Sequence, residues 1–209
     1  MENPNADVLM ETDLPLPLFI RGKVRDTYII GNYLLIVATD RISAFDVILP
    51  CGIPNKGNVL NRLSYFWFRH TSEIVPNHMA EAVDDLNSIN SYLPANNRLH
   101  SYPSYLRGRS MIGKKVDRIP IECVVRGYIS GSAWTEYQQK GTVNGNPMPK
   151  GLKESQKLHE PVYTPTTKAE AGHDEPITQK EITKLVGTSV ASQLEQKSLE
   201  LYKYAHDYA

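Results

Sequence analysis

Three short apolar segments near the start of the chain restrict its fold more than any other feature. Residues 18–20, 27–30 and 33–39 are rich in β-branched, aromatic and aliphatic side chains, the composition of strands. Only residues 21–26 and the Gly31-Asn32 step separate these segments, which is too short for the crossover that parallel strands need. The sequence therefore predicts an antiparallel sheet with residues 33–39 as its central strand.

The rest of the chain mixes helical, strand and loop patterns. The predicted elements are a helix over residues 58–68, a loop over 87–109, strand structure over 114–128 with a break at Pro120, a short helix over 135–140 and two C-terminal helices. Thr178 and Glu181 form a capping-box pattern for a helix that stops at Gly187. Thr188 or Ser189 is the predicted N-cap of the last helix. These elements predict an α+β fold.

Residues 120–134, PIECVVRGYISGSAW, combine a strand-like apolar run with charges. Strand side chains alternate between faces, so Glu122 and Arg126 are predicted to share one face. A buried charge is costly unless it is paired or binds a ligand. The glycines and serines of residues 127–132 suit a turn that presents amides and hydroxyls to an anion. Two interpretations stay open: a phosphate clamp, or a structural Glu122–Arg126 pair before an ordinary turn.

Two further segments carry charge at strand ends. Residues 21–28, RGKVRDTY, contain one glycine and could fold over nucleotide phosphates as the glycine-rich loop of kinases does; the alternative is a basic hairpin loop. Residues 38–46, ATDRISAFD, crowd polar side chains at the end of the predicted central strand, although Asp40 and Arg41 could be only a structural pair. The polar, aperiodic residues 159–176 predict either a functional or a disordered loop.

Composition excludes several classes of protein. Lysine plus arginine equals aspartate plus glutamate at 23 each, so no global basic field attracts nucleic acid, and the basic residues 104–115 are better interpreted as a solvated loop than as an RNA contact. Two cysteines, with Cys123 in a predicted core strand, do not make a disulfide scaffold and favour the cytoplasm. The apolar runs are too short to cross a membrane, and the six histidines lack metal-ligand spacing.

Five segments, in this order, resemble the SAICAR synthetase family of purine biosynthesis: RGKVRDTY, ATDRISAFD, GIPNKGNVLNRLS, PIECVVRGYISGSAW and EPVYTPTTKAEAGHDEPI. That family joins L-aspartate to the carboxylate of the aminoimidazole ribotide CAIR with ATP and Mg²⁺, and an acyl phosphate is the expected intermediate. The resemblance implies a two-lobe fold. Residues 1–118 would form a kinase-like lobe that holds ATP, and residues 119–209 would form the substrate lobe.

The resemblance also implies roles for individual residues of this chain. The implied ATP-binding residues are Gly22, Lys23, Arg25, Lys114, Arg118 and Glu122, the implied substrate-binding residues are Ser43, Asp46, Arg126 and Ser132, and the implied catalytic residues are Lys168 and Asp174. Among these, Lys23 would meet the ATP phosphates, and Arg126 with Ser132 would clamp the ribotide phosphate. No residue is assigned to the metal.

The family pattern continues with an ADTKFEFG strand and an acidic segment that this sequence does not contain. Those pieces supply carboxylates for Mg²⁺ in the family, so we expect an incomplete second lobe and a chain without its full catalytic apparatus. A catalytically inactive fragment that binds ATP or the ribotide is therefore the alternative function.

Overall fold

The computed structural model describes residues 8–168 and 175–209. The chain divides into two compact units, Met1–Val116 and Asp117–Ala209, and each contains its own buried apolar cluster. Helices and antiparallel sheets occur together, so the predicted α+β class is confirmed. No helix in the described part of the chain is long and apolar enough to span a bilayer.

The first unit is built on an antiparallel sheet. Its elements are β1 (Leu18–Arg21), β2 (Arg25–Ile30), β3 (Tyr33–Ala38), β4 (Arg41–Ala44), β5 (Val47–Gly52), α1 (Lys56–His70), β6 (Met79–Ala82) and β7 (Ser110–Lys114). Five of these strands pair in the order β1-β2-β3-β7-β6, with every pair antiparallel. The central place of β3 confirms the prediction made from the short connections. Strands β4 and β5 form a separate hairpin.

One face of this sheet is covered by residues that the sequence assigned to a loop. Residues 87–109 do not form a continuous loop, because three short 3₁₀-helices lie within and beside this range: Leu86–Tyr92, Ala95–Asn97 and Ser104–Leu106. Ile89 and Leu106 are fully buried against Leu35 and Ile112 of the sheet. The many Ser, Asn and Pro residues hid these few apolar anchors.

Helix α1 packs through its small and polar residues instead of its apolar ones. Its buried residues are Gly57 and Asn61, and the Asn61 amide donates to the carbonyls of Gly108 and Ser110 at 2.9 and 3.1 Å. A Cβ on Gly57 would lie 2.2 Å from the Ala38 carbonyl oxygen. Glycine and asparagine therefore bring this helix close to the sheet.

The second unit contains short ladders and three helices. Its elements are β8 (Ile121–Glu122), β9 (Val125–Tyr128), α2 (Gly131–Lys140), β10 (Thr142–Val143), β11 (Asn146–Pro147), β12 (Lys157–Tyr163), β13 (Thr166–Thr167), α3 (Gln179–Val186) and α4 (Thr188–Tyr208). Strand pairs are β9 with β12, β8 with β13, and β10 with β11.

The predicted strand over residues 114–128 is wrong in most of its length. Strand β7 ends at Lys114, residues 115–120 form no strand, and β8 and β9 pair with different partners. The predicted turn at residues 127–132 is also wrong in part, because Gly127 belongs to β9 and Gly131 begins α2. Pairing with later strands, which local patterns do not reveal, sets these bounds.

Glycine has opposite roles at two positions in this unit. Gly127 has no room for a side chain, since an added Cβ would lie 2.0 Å from the Tyr202 hydroxyl oxygen of α4. Gly187 is the N-cap of α4 at φ 82°, and no side chain caps this helix, so the predicted Thr188 or Ser189 cap is wrong. The capping box of Thr178 and Glu181 at the start of α3 is confirmed.

Candidate functional site

The connection between β1 and β2 is a tight basic loop, here called the 22–25 loop. The Gly22 amide donates to the Arg25 carbonyl at 2.8 Å and closes it. The Lys23 ammonium, about half exposed, forms an ion pair with Asp46. Lys23 and Asp46, predicted for different substrates, therefore meet, while Arg25 is exposed at the start of β2.

The tip of the β4–β5 hairpin carries Asp46 in an unusual backbone conformation. Phe45 and Asp46 have φ values of 48° and 66°, a left-handed region that costs roughly 1–3 kcal/mol where a non-glycine residue must adopt it. The Phe45 side chain is fully exposed, and Ser43 on β4 is exposed as well. Strain of this kind concentrates at functional sites.

A buried arginine lies beneath the 22–25 loop. Arg41 donates to the carbonyls of Gly22 and Lys23 at 2.8 and 3.1 Å and also to the Met10 carbonyl. Its guanidinium pairs with the Asp26 carboxylate at 2.6 Å, with the two side chains 6% and 0% exposed. Arg41 is thus the only arginine among the described residues whose guanidinium binds carbonyls of this loop.

The charge of Asp26 is maintained by its neighbours. Burial alone would raise the pKa of Asp26, but hydrogen bonds from Arg41 and from the amide and hydroxyl of Thr12 outweigh it and lower the pKa. The pair is therefore ionised at neutral pH.

The suggested structural pair between Asp40 and Arg41 does not form. Asp40 pairs instead with Arg109 at 3.0 Å and accepts from the Gly57 amide at 2.8 Å. Adjacent residues in an extended chain point in opposite directions, which is why the two side chains separate. The Asp40 carboxylate occupies the start of α1.

In the second unit, Arg126 and Ser132 come together as predicted for a clamp. The Arg126 guanidinium donates to the Ser132 hydroxyl at 3.0 Å and to the Thr164 hydroxyl at 3.1 Å. All three side chains line one wall of an open cavity of about 610 Å³. Lys140 also lines this cavity, so two cationic side chains border a space large enough for a small anionic ligand.

The alternative pair of Arg126 with Glu122 is wrong. Glu122 forms an ion pair with Lys168 instead, and both side chains are more than one-third exposed. Cys123 is exposed and not in a core strand; its thiol accepts from the Tyr163 hydroxyl at 3.4 Å. Both corrections follow from the break between β8 and β9, which ends the alternation on which the prediction depended.

Glu136 of α2 shapes the opposite wall of the cavity. Its carboxylate accepts from the Thr142 hydroxyl at 2.7 Å and from the amides of Asn144 and Gly145 at 2.9 Å each. Burial opposes its ionisation, but these donors outweigh burial and lower the pKa of Glu136. The ionised carboxylate therefore fixes the β10–β11 turn at the cavity edge.

The remaining predicted residues are dispersed or not described. Lys114 ends β7 and is exposed, as is Arg118 in the segment after it. Asp174 lies outside the described residues. Within residues 8–168 and 175–209, no group of three histidine, cysteine, aspartate or glutamate side chains could hold a metal ion.

Sequence reasoning missed four residues that organise these sites: Arg41, Thr39, Thr164 and Glu136. Only Arg41 gave a local signal, as a charge at the end of an apolar strand with Asp26 in the preceding strand. Thr39, Thr164 and Glu136 are ordinary in sequence and acquire their roles from tertiary contacts.

The chain resembles proteins of one kind along nearly all its length. A sequence profile for SAICAR synthetase matches residues 18–209. Phosphoribosylaminoimidazole-succinocarboxamide synthase from Thermodesulfovibrio yellowstonii is 49% identical over 204 residues, which cover 97% of this chain and 67% of that protein. The protein of the same name from Pichia angusta is 47% identical over 196 residues, covering 93% and 64%.

A solved structure is similar as well. The SAICAR synthase from Saccharomyces cerevisiae, complexed with SAICAR, has 44% sequence identity and a TM-score of 0.84, and the match covers 96% of this chain and 66% of that one. The chain thus spans about two thirds of the length of these relatives.

Proposed function

Because the chain belongs to the SAICAR synthetase family of purine biosynthesis, we propose that it takes part in the ATP-dependent joining of L-aspartate to CAIR. The products are SAICAR, ADP and phosphate. The observation that carries the proposal is the Arg126–Ser132 pair on the wall of a cavity of about 610 Å³, since a ribotide presents a phosphate to just such donors.

The ribotide phosphate binds at Arg126 and Ser132 in this proposal. A guanidinium and a hydroxyl 3.0 Å apart can donate to neighbouring phosphate oxygens. Thr164 holds the Arg126 Nε atom at 3.1 Å and restricts the guanidinium's orientation. The relative from Saccharomyces cerevisiae, whose complex contains SAICAR, supports a ribotide ligand.

ATP binds at the 22–25 loop in this proposal. Lys23 supplies a mobile positive charge, and its partner Asp46 keeps that charge near the loop before ATP arrives. Lys114 and Arg118 would border the base. Assigning ATP to the first lobe and the ribotide to the second remains a prediction, with the predicted boundary after residue 118.

The chemistry proceeds in two balanced steps. A carboxylate oxygen of CAIR attacks the γ-phosphorus of ATP, forming an acyl phosphate and releasing ADP. The aspartate amine then attacks the acyl carbon, phosphate leaves with the oxygen it gained, and the amine loses a proton as the amide forms. Lys168, paired with Glu122, and Asp174 are the proposed groups near the reacting carboxylate.

Magnesium accompanies ATP in phosphoryl transfer, but the described residues offer it no three-ligand cluster. We therefore assign no residue to the metal, and no step above depends on one.

Incubation with ATP, Mg²⁺, CAIR and L-aspartate tests the proposal. We expect SAICAR, ADP and phosphate in equal amounts, with the product identified by mass spectrometry. Binding of ATP and CAIR without turnover would instead support an inactive binding protein. Failure to bind either ligand would contradict both functions.

A further inference from the structure

The carbonyl groups of the 22–25 loop share one direction. Those of Gly22 and Lys23 accept from Arg41 at 2.8 and 3.1 Å, and that of Val24 accepts from the amide and the hydroxyl of Thr39 at 3.0 Å each. Three consecutive carbonyls thus point into the protein, toward groups that are themselves buried.

This direction determines where the loop's amides point. In a planar trans peptide the carbonyl and the following N–H lie on opposite sides. Inward carbonyls at Gly22 and Lys23 therefore turn the amides of Lys23 and Val24 outward. Within the part of the chain that the structure describes, neither amide donates a hydrogen bond. Successive outward amides form a concavity that binds anions.

We propose that Arg41 is a positioning residue for the nucleotide phosphates, acting through the backbone of the 22–25 loop. Arg41 is 5% exposed and bonds to the inner side of the loop, so it does not touch the ligand itself. Its pair with Asp26 at 2.6 Å fixes the guanidinium, whose planar set of donors reaches two adjacent carbonyls at once. The inference rests on the proposed ATP site and adds the residue that pre-forms it.

Lysine cannot replace Arg41 in this role, although it keeps the charge. An ammonium is a point charge without the planar fork, so Arg41→Lys can satisfy Asp26 but not both carbonyls. The amides of Lys23 and Val24 would then lose their fixed direction. Because net charge is unchanged, long-range attraction of phosphate is also unchanged.

Arg109 provides a matched control. Like Arg41, its side chain is 6% exposed and pairs with a fully buried aspartate, Asp40, at 3.0 Å. It holds no carbonyl of the 22–25 loop among the described residues. Arg109→Lys should therefore destabilise the protein without a selective loss of phosphate binding.

The test compares ATP and adenosine by isothermal titration calorimetry, with the unfolding temperature measured for each variant. We expect Arg41→Lys to weaken ATP roughly tenfold, the loss of about one charged hydrogen bond, and adenosine by less than about twofold. Asp26→Asn, which leaves the guanidinium a weaker partner, should act in the same direction and serves if Arg41→Lys does not fold. Equal losses for ATP and adenosine, or the same selective loss in Arg109→Lys, would overturn the inference. If the unaltered protein binds no ATP, the proposed function fails first.

Discussion

Individual charged residues in this protein are defined by their partners more than by their sequence neighbours. Arg126 is bonded to Ser132 and Thr164, whereas Glu122, four residues earlier, is bonded to Lys168. The carboxylate that sequence alone offered to Arg126 is therefore occupied elsewhere. This leaves the guanidinium with hydroxyl partners, which a phosphate can join or replace.

Substitution of Arg126 tests its role as the phosphate anchor. Arg126→Ala should weaken CAIR binding about ten- to a hundredfold, because a charge-assisted hydrogen bond contributes roughly 1.5–3 kcal/mol. ATP affinity should not change, and Ser132→Ala should have a smaller effect on CAIR. Titration calorimetry with both ligands measures this, and an unaltered CAIR affinity would remove Arg126 from the site.

At the scale of elements, short polar contacts hold the cavity walls in place. Helix α2 and the β10–β11 hairpin are joined through the Glu136 carboxylate, which binds two consecutive turn amides and a threonine hydroxyl. Helix α4 approaches β9 closely only because Gly127 lacks a side chain opposite Tyr202. Both contacts lie in the unit that contains Arg126, so they also support the clamp.

The first of these contacts predicts a pH-dependent stability. Glu136→Gln should lower the free energy of unfolding at pH 7 by about 1–2 kcal/mol, because a carboxylate accepts more strongly than an amide oxygen. The folded-state pKa of Glu136 lies below its ordinary value of 4.5, so its contribution is present above that pH and is lost as pH falls through the folded value.

Urea unfolding at several pH values measures this effect. The difference between the unaltered protein and Glu136→Gln should shrink as pH falls below about 4.5. The exposed Glu154 supplies the control, since Glu154→Gln should show little difference at any pH. A difference for Glu136→Gln that grows in acid would contradict the sign of the shift.

The second contact predicts a coupling between β9 and α4. Gly127→Ala should cost about 1–3 kcal/mol, as overpacking of a filled site does, because its new methyl group would overlap the Tyr202 ring. In a Tyr202→Ala background the same substitution should cost much less. A double-mutant cycle from chemical denaturation gives the coupling energy, and strictly additive costs would show that the two residues do not meet.

On the scale of the whole molecule, each compact unit carries one proposed ligand site. The 22–25 loop belongs to Met1–Val116, and the cavity at Arg126 belongs to Asp117–Ala209. Each unit has its own buried apolar cluster, so a ligand can stabilise one unit locally.

Hydrogen exchange followed by mass spectrometry should separate the two sites. ATP should slow amide exchange in residues 22–25, and adenosine should slow it less there because it lacks phosphates. CAIR should slow exchange in residues 126–132. Protection of residues 22–25 by CAIR and of residues 126–132 by ATP would reverse the proposed assignment of the lobes.

Local sequence patterns predicted the features of this protein that depend on near neighbours. The antiparallel β1–β3 sheet followed from connections too short for a crossover, and the α3 capping box followed from Thr178 and Glu181 alone. The family was predicted from five ordered segments and is confirmed. The Arg126–Ser132 contact was also predicted, because its two residues are only six apart.

Tertiary structure decided what depends on distant partners. Strand β9 ends where its pairing with β12 ends, Glu122 pairs with Lys168 across 46 residues, and Arg41 reaches Asp26 instead of its neighbour Asp40. Alternation and composition describe which side of the chain a residue occupies, but they do not contain the identity of what lies opposite. Burial makes that partner decisive, because a charge removed from water must be matched by whichever group the fold brings beside it.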